Sequence, residues 1–113
     1  MAAPVMDNPW SGEITLSIDG VQRRLSLTLG ALAELETHLG DDTLVAMVAR
    51  FEDGAFSSRD VLALLVAGLR GGGWDVQGAD LISAEIEGGP MGAAAAAARL
   101  LARAFLLPEE RRG

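Results

Sequence analysis

Apolar and polar positions alternate from Glu13 onward and change period at Thr28. In GEITLSIDGVQRRLSLTLG, Ile14, Leu16 and Ile18 fall on one face of an extended strand, with Thr15 and Ser17 on the other. Asp19-Gly20 separates the two runs. It is a type I′ turn signal, because both central residues of that turn need positive φ. A two-residue loop pairs Ile18 with Val21, Leu16 with Arg23 and Ile14 with Leu25. Leu25, Leu27 and Leu29 then share the apolar face of the second strand. Arg23 is a charge on that face, so either its stem snorkels at the sheet edge or a bulge at Arg23-Arg24 turns it out.

From Thr28 the spacing becomes helical. Thr28 suits an N-cap serving an amide near Ala31, and Leu29, Leu32, Leu35 and Leu39 form one stripe ended by Gly40. Asp42 is read as the cap of a short helix from Thr43 to about Glu52, with Leu44, Met47, Val48 and Phe51 on its apolar face. EDGAFSS is a turn. Ser57 and Asp60 have the spacing of a capping box and open SRDVLALLVAGLR, where Val61, Leu62, Leu65, Val66 and Leu69 make a broad stripe. This is expected to be the most buried helix. Gly71-Gly72-Gly73 ends it. A further helix is expected from about Val76 to Glu87, carrying Leu81, Ile82 and Ile86. After Gly88-Gly89-Pro90 a last helix runs from Met91 to about Leu107, with Pro90 at its first position. It contains six consecutive alanines, Ala93 to Ala98, and then the bulkier Leu100, Leu101, Phe105 and Leu106.

These elements give an α+β fold: an N-terminal antiparallel β-hairpin (13–29) followed by about five α-helices (30–107) packed as a small bundle. One domain covers 13–108. An arm (1–12) with two prolines precedes it and a polar tail (109–113) follows. An isolated hairpin is marginal, so the sheet is expected to be covered by helices or to gain strands from another copy.

Composition narrows the function classes. Half of the 113 residues are hydrophobic, enough for a core without staples. Cysteine is absent, which removes disulfides and thiolate chemistry. The formal net charge of -7 argues against nonspecific binding to nucleic acid or to anionic membranes, and the nine basic residues are all arginine. No run of about 18 apolar residues would span a bilayer. MAAPVMDNPW lacks the charged and apolar regions of a secretion signal, and a reducing cytoplasm suits a chain without cysteine.

Candidate chemistry is sparse. Gly71-Gly72-Gly73-Trp74 closes a helix, whereas a phosphate-binding loop opens one and carries Gly-Lys-Ser/Thr. Trp74 is expected to pack over an apolar patch or to anchor an interface. His38 is the single histidine, and Glu34 lies one turn before it, so a surface pair is expected. Asp41-Asp42 and Glu52-Asp53 lie at helix ends, where capping accounts for such groups. No set of residues assembles a nucleophile, a base and an oxyanion donor, so no enzymatic activity and no cofactor is expected.

The order of segments adds a resemblance. GEITLSIDG…RLSLTLGALAELETHLG, FSSRDVLALLVAGLRGGG and AEIEGGP resemble the gene-transfer-agent tail proteins of alphaproteobacteria, which belong to phage-derived particles that package host DNA. The resemblance covers about Gly12 to Pro108. That family is grouped with phage tail assembly chaperones, although some descriptions call it a tail tube protein. It implies a protein that binds the tape-measure protein and other tail proteins, with possible self-association, and that either leaves or is retained in the particle. A tube subunit would need a longer hairpin and more strands than the sequence offers, which favours the chaperone. The expected partner-binding residues are Trp74, Ala93, Ala94, Ala97, Leu101 and Phe105. The same stripe serves equally well as a core face or a dimer seam.

Overall fold

The computed structural model describes residues 13–105. Strands β1 (Glu13–Ile18) and β2 (Val21–Ser26) precede helices α1 (Leu29–Leu39), α2 (Leu44–Asp53), α3 (Ser58–Gly71), α4 (Gly78–Ile82) and α5 (Gly89–Phe105). The architecture is α+β, an antiparallel hairpin followed by five helices. The 1–12 arm, the 109–113 tail and Leu106 and Leu107 lie outside the described residues.

Asp19 and Gly20 both take positive φ, 53° and 81°, and the turn sets the register Ile18–Val21, Leu16–Arg23, Ile14–Leu25. Pairing is continuous through Arg23 and Arg24, so no bulge forms. Arg23 instead lays its guanidinium over the Trp74 ring, 3.8 Å from the centroid. Ile14, Leu16, Ile18 and Leu25 enter the core.

Thr28 caps α1, its Oγ1 accepting from the Ala31 amide at 3.1 Å. The buried side of the helix is Ala31 and Leu35, with Leu32 and Leu39 half-buried. Leu29 is 84% exposed and does not join the stripe. It precedes Ala31 by two residues, about 200° around the helix, and so faces away from the core.

The cap of α2 is Thr43, not Asp42: the Thr43 hydroxyl accepts from the Ala46 amide at 3.0 Å. A threonine one residue nearer the helix reaches that amide, which frees the Asp42 carboxylate for Thr43 N–H and for Arg50.

α3 is the central helix, packed on β2, α1, α5 and α4. Ser57 and Asp60 exchange both capping-box hydrogen bonds, 3.1 and 3.0 Å. Its core face is Leu64, Leu65, Ala67, Gly68 and Leu69, whereas Val61, Leu62 and Val66 are only half-buried. The stripe is therefore rotated from the expected one. Glycines set this rotation. A side chain on Gly68 would meet Leu100 and Leu25, and one on Gly71 or Gly72 would meet the backbone carbonyl of Ser26 or Arg24. The glycine run therefore ends the helix and also lets its last turn lie directly against β2.

The expected helix over 76–87 is shorter. α4 covers Gly78–Ile82, opened by reciprocal Gln77–Asp80 hydrogen bonds. Residues 84–87 then extend beside β1. Ile86 bridges Ile18, Glu87 N–H donates to Ser17 O at 3.0 Å, and Asp19 N–H donates to Glu85 O at 2.7 Å. Ala84 and Ile86 turn inward while Glu85 and Glu87 are exposed, a period of two that suits a strand. The sheet is thus extended by a short bridge from the chain's own 84–87 segment.

α5 begins at Gly89 rather than Met91, which puts Pro90 one position in from the helix start. Its buried face is Ala93, Ala96, Ala97, Leu100 and Leu101. The small alanines let α5 approach α3, and Leu100 fills the space above Gly68.

Candidate functional site

The expected partner residues separate once folded. Ala93, Ala97 and Leu101 are buried in the core, with Leu101 at 4% exposure. Ala94 is half-buried, and Phe105 is 43% exposed at the end of α5. Trp74 is half-buried against the core beneath Arg23. It is far along the chain from the α5 residues and lines none of the grooves described below. The fold brings only Leu101 and Phe105 together in one surface depression.

That depression lies between α2 and α5. It encloses about 420 Å³ and is lined by Val48, Phe51 and Glu52 from α2, and by Ala98, Leu101, Ala102 and Phe105 from α5. Glu52 is its single charged lining residue. Helical spacing explains both walls. Val48 and Phe51 are three apart, Leu101 and Phe105 four apart, so each pair shares a helix face. Phe51 also stacks on Phe56 of the following turn, with ring centroids 4.5 Å apart.

A second groove of about 290 Å³ runs between α1 and α3. Leu35, Leu62, Ala63, Val66 and Ala67 form its floor, and Glu34, His38, Arg59 and Arg70 edge it. The half-buried Leu62 and Val66 owe their exposure to this groove. The expected His38–Glu34 pair does not form: Glu34 accepts from Arg70 Nε at 3.2 Å, and Arg70 also meets Asp75 at 3.1 Å. His38 is exposed.

One polar cluster stands apart, and its pairing was missed by sequence reasoning. Arg50 of α2 donates Nε and Nη2 to both carboxylate oxygens of Asp60, each at 2.9 Å. It also donates to both oxygens of Asp42, at 3.3 and 2.7 Å. Asp60 is only 8% exposed. The hydrogen bonds from Arg50 hold the Asp60 carboxyl below its usual range, with the Ser57 amide assisting and burial opposing. Arg50 and the Thr43 amide lower Asp42 in the same way. The two carboxylates, Asp60 foremost, push the Arg50 guanidinium above its ordinary value. The available signal was an arginine near the end of one amphipathic helix and a capping acid at the start of the next. The cluster spends its charges on one another and so reads as a clasp between α2 and α3.

Among the described residues no group of three histidine, aspartate or glutamate side chains is placed to hold a metal ion. No helix there is long and apolar enough to cross a membrane. Arg50 and Arg70 spend their charge within the fold, whereas both grooves present apolar side chains at the surface.

Neither a curated protein nor a solved structure matches the chain. A family model does match, over residues 11–106, and this covers both strands, every helix and both grooves. The chain therefore belongs to the family described as phage tail tube protein, GTA-gp10.

Proposed function

We propose that this chain is a structural component of a phage-derived tail, acting by contact with other tail proteins and with copies of itself. The observation that carries this reading is the family match across 11–106. The apolar groove between α2 and α5 supports it as the contact surface. Its occupant on this reading is a helix of another tail polypeptide. That helix would present apolar side chains to Val48, Phe51, Leu101 and Phe105, and a cation to Glu52. The test is quantitative mass spectrometry of purified particles. A copy number that scales with tube rings supports a retained subunit, and absence from the particle sinks it.

A second reading is an assembly chaperone that holds the tape-measure protein and then departs. The sheet favours it. Glu87 N–H pairs with Ser17 on the outer edge of β1, and Gly72 lies against the Arg24 carbonyl of β2, so neither strand offers a long free edge for a tube wall. Recovery of the tape-measure protein with tagged chain from lysate, together with absence from mature particles, would select this reading.

A further inference from the structure

We propose that α2 is a hinged flap that gates the α2–α5 groove, latched shut by Arg50; this rests on the groove being the contact surface proposed above. Four observations place the hinge and the latch. First, α2 takes no part in the extensive contacts that bind the hairpin, α1, α3 and α5 together. Its one fully buried side chain is Met47. Second, an open groove flanks it on each side. The α5 groove lies on one, and a cleft of about 410 Å³ containing Leu39, Asp42, Arg50 and Asp60 lies on the other.

Third, a glycine at positive φ stands at each end, Gly40 at 64° and Gly54 at 72°. Nothing lies within 4 Å of where a side chain on either would project. These two positions can absorb a change of backbone direction without collision. Fourth, the strongest polar tie from α2 to the next helix is a single guanidinium. Two Arg50 hydrogen bonds end on Asp60, at the start of α3, and form the latch; the two on Asp42 stay within the 40–54 segment and hold the guanidinium in place.

Opening the flap would leave the hairpin, α3 and α5 packed, because they share a core to which α2 adds one fully buried side chain, Met47, with Leu44, Val48 and Phe51 packed half-buried against its edge. It would bare Leu101, which is 4% exposed in the closed form, beside the already exposed Phe105. A partner helix could then reach a residue that the closed fold hides. Elements that move for binding come from the weakly packed end of a structure, and α2 fits that description.

Hydrogen exchange of the full chain near neutral pH tests the flap. Amides of 44–53 should exchange at least about tenfold faster than those of 58–71. Arg50→Met should accelerate 44–53 by a further factor of about ten while leaving 58–71 unchanged. Equal protection of the two helices overturns the proposal, as does acceleration of both by Arg50→Met. The gate is tested at the residue it covers. The chain has no cysteine of its own, so the labelling rate of Leu101→Cys by a small maleimide reads how often position 101 is bared. Adding Arg50→Met should raise that rate by about tenfold. An unchanged rate overturns the gate. Rapid α2 exchange in a chain absent from particles would leave the flap and remove the tail-subunit reading. Slow α2 exchange in a chain present there would do the reverse.

Discussion

The side chain that Gly71 lacks would stand where the Ser26 carbonyl oxygen now lies. The last turn of α3 and the end of β2 are thus in backbone contact, and a methyl group there has no flexible neighbour to displace. Gly71→Ala should destabilise the protein by about 1–3 kcal/mol, the range for overpacking. Gly73→Ala meets no atoms but sits at φ 107°, so its cost is backbone strain instead. Chemical denaturation separates them from wild type. A neutral Gly71→Ala would mean that α3 and β2 do not approach as described.

Arg23 and Trp74 make a different kind of contact. The guanidinium covers the ring at 3.8 Å, yet Arg23 Nε is buried without a hydrogen-bond partner among the described residues. The cation–π gain of roughly 0.5–2 kcal/mol is offset by burying an unpaired donor. Arg23→Met keeps the stem, so its effect should lie within about 1 kcal/mol of zero. Trp74→Ala strips a large ring from the core edge and should cost about 1–3 kcal/mol. Urea midpoints of the two variants check the order; a larger loss from Arg23→Met would show that the cation is the essential partner.

The Ser57 hydroxyl accepts from the Asp60 amide at 3.1 Å and caps α3. Ser57→Ala should cost about 1 kcal/mol, as for other N-caps. Asp60→Ala removes the reciprocal bond to Ser57 and also takes two of the four hydrogen bonds from Arg50, so its loss should be larger than that of Ser57→Ala. Thermal melts of the two proteins measure this difference. Equal losses would mean that the Arg50 clasp contributes nothing in solution.

Local chemistry made much of this fold legible. The Asp19-Gly20 turn fixes a register that no other pairing satisfies, and Thr28, Ser57 and Gly40 mark helix ends by mechanisms acting within four residues. The failures share a tertiary cause. Residues 84–87 alternate with period two, but their strand partner, Ile18, lies far away in sequence. The glycine run read as a stop, and its second role needs β2 overhead. The alanine stripe left core and interface open in the sequence; in the fold Ala93, Ala97 and Leu101 face inward, while Phe105 stays partly outside. Leu101 and Phe105 meet Val48 and Phe51 only because α2 folds beside α5, which no local pattern specifies.

Acid should weaken the α2–α3 clasp in a defined window. Arg50 lowers the folded-state carboxyl pKa values of Asp60 and Asp42 below their ordinary 3.8. A depressed carboxyl stabilises the fold fully above its unfolded value, near 4. That contribution is lost as pH falls through the lower folded value. The other carboxylates titrate as well, so the difference between wild type and Arg50→Met isolates the clasp. Wild type should be the more stable at pH 7, with the gap nearly constant down to about pH 5. The gap should then narrow as pH falls below about 4, where both aspartates become protonated in either protein. Urea midpoints at several pH values give the gap directly. A gap that is unchanged at about pH 2.5 would show that Arg50 acts through its packing and not through the two carboxylates.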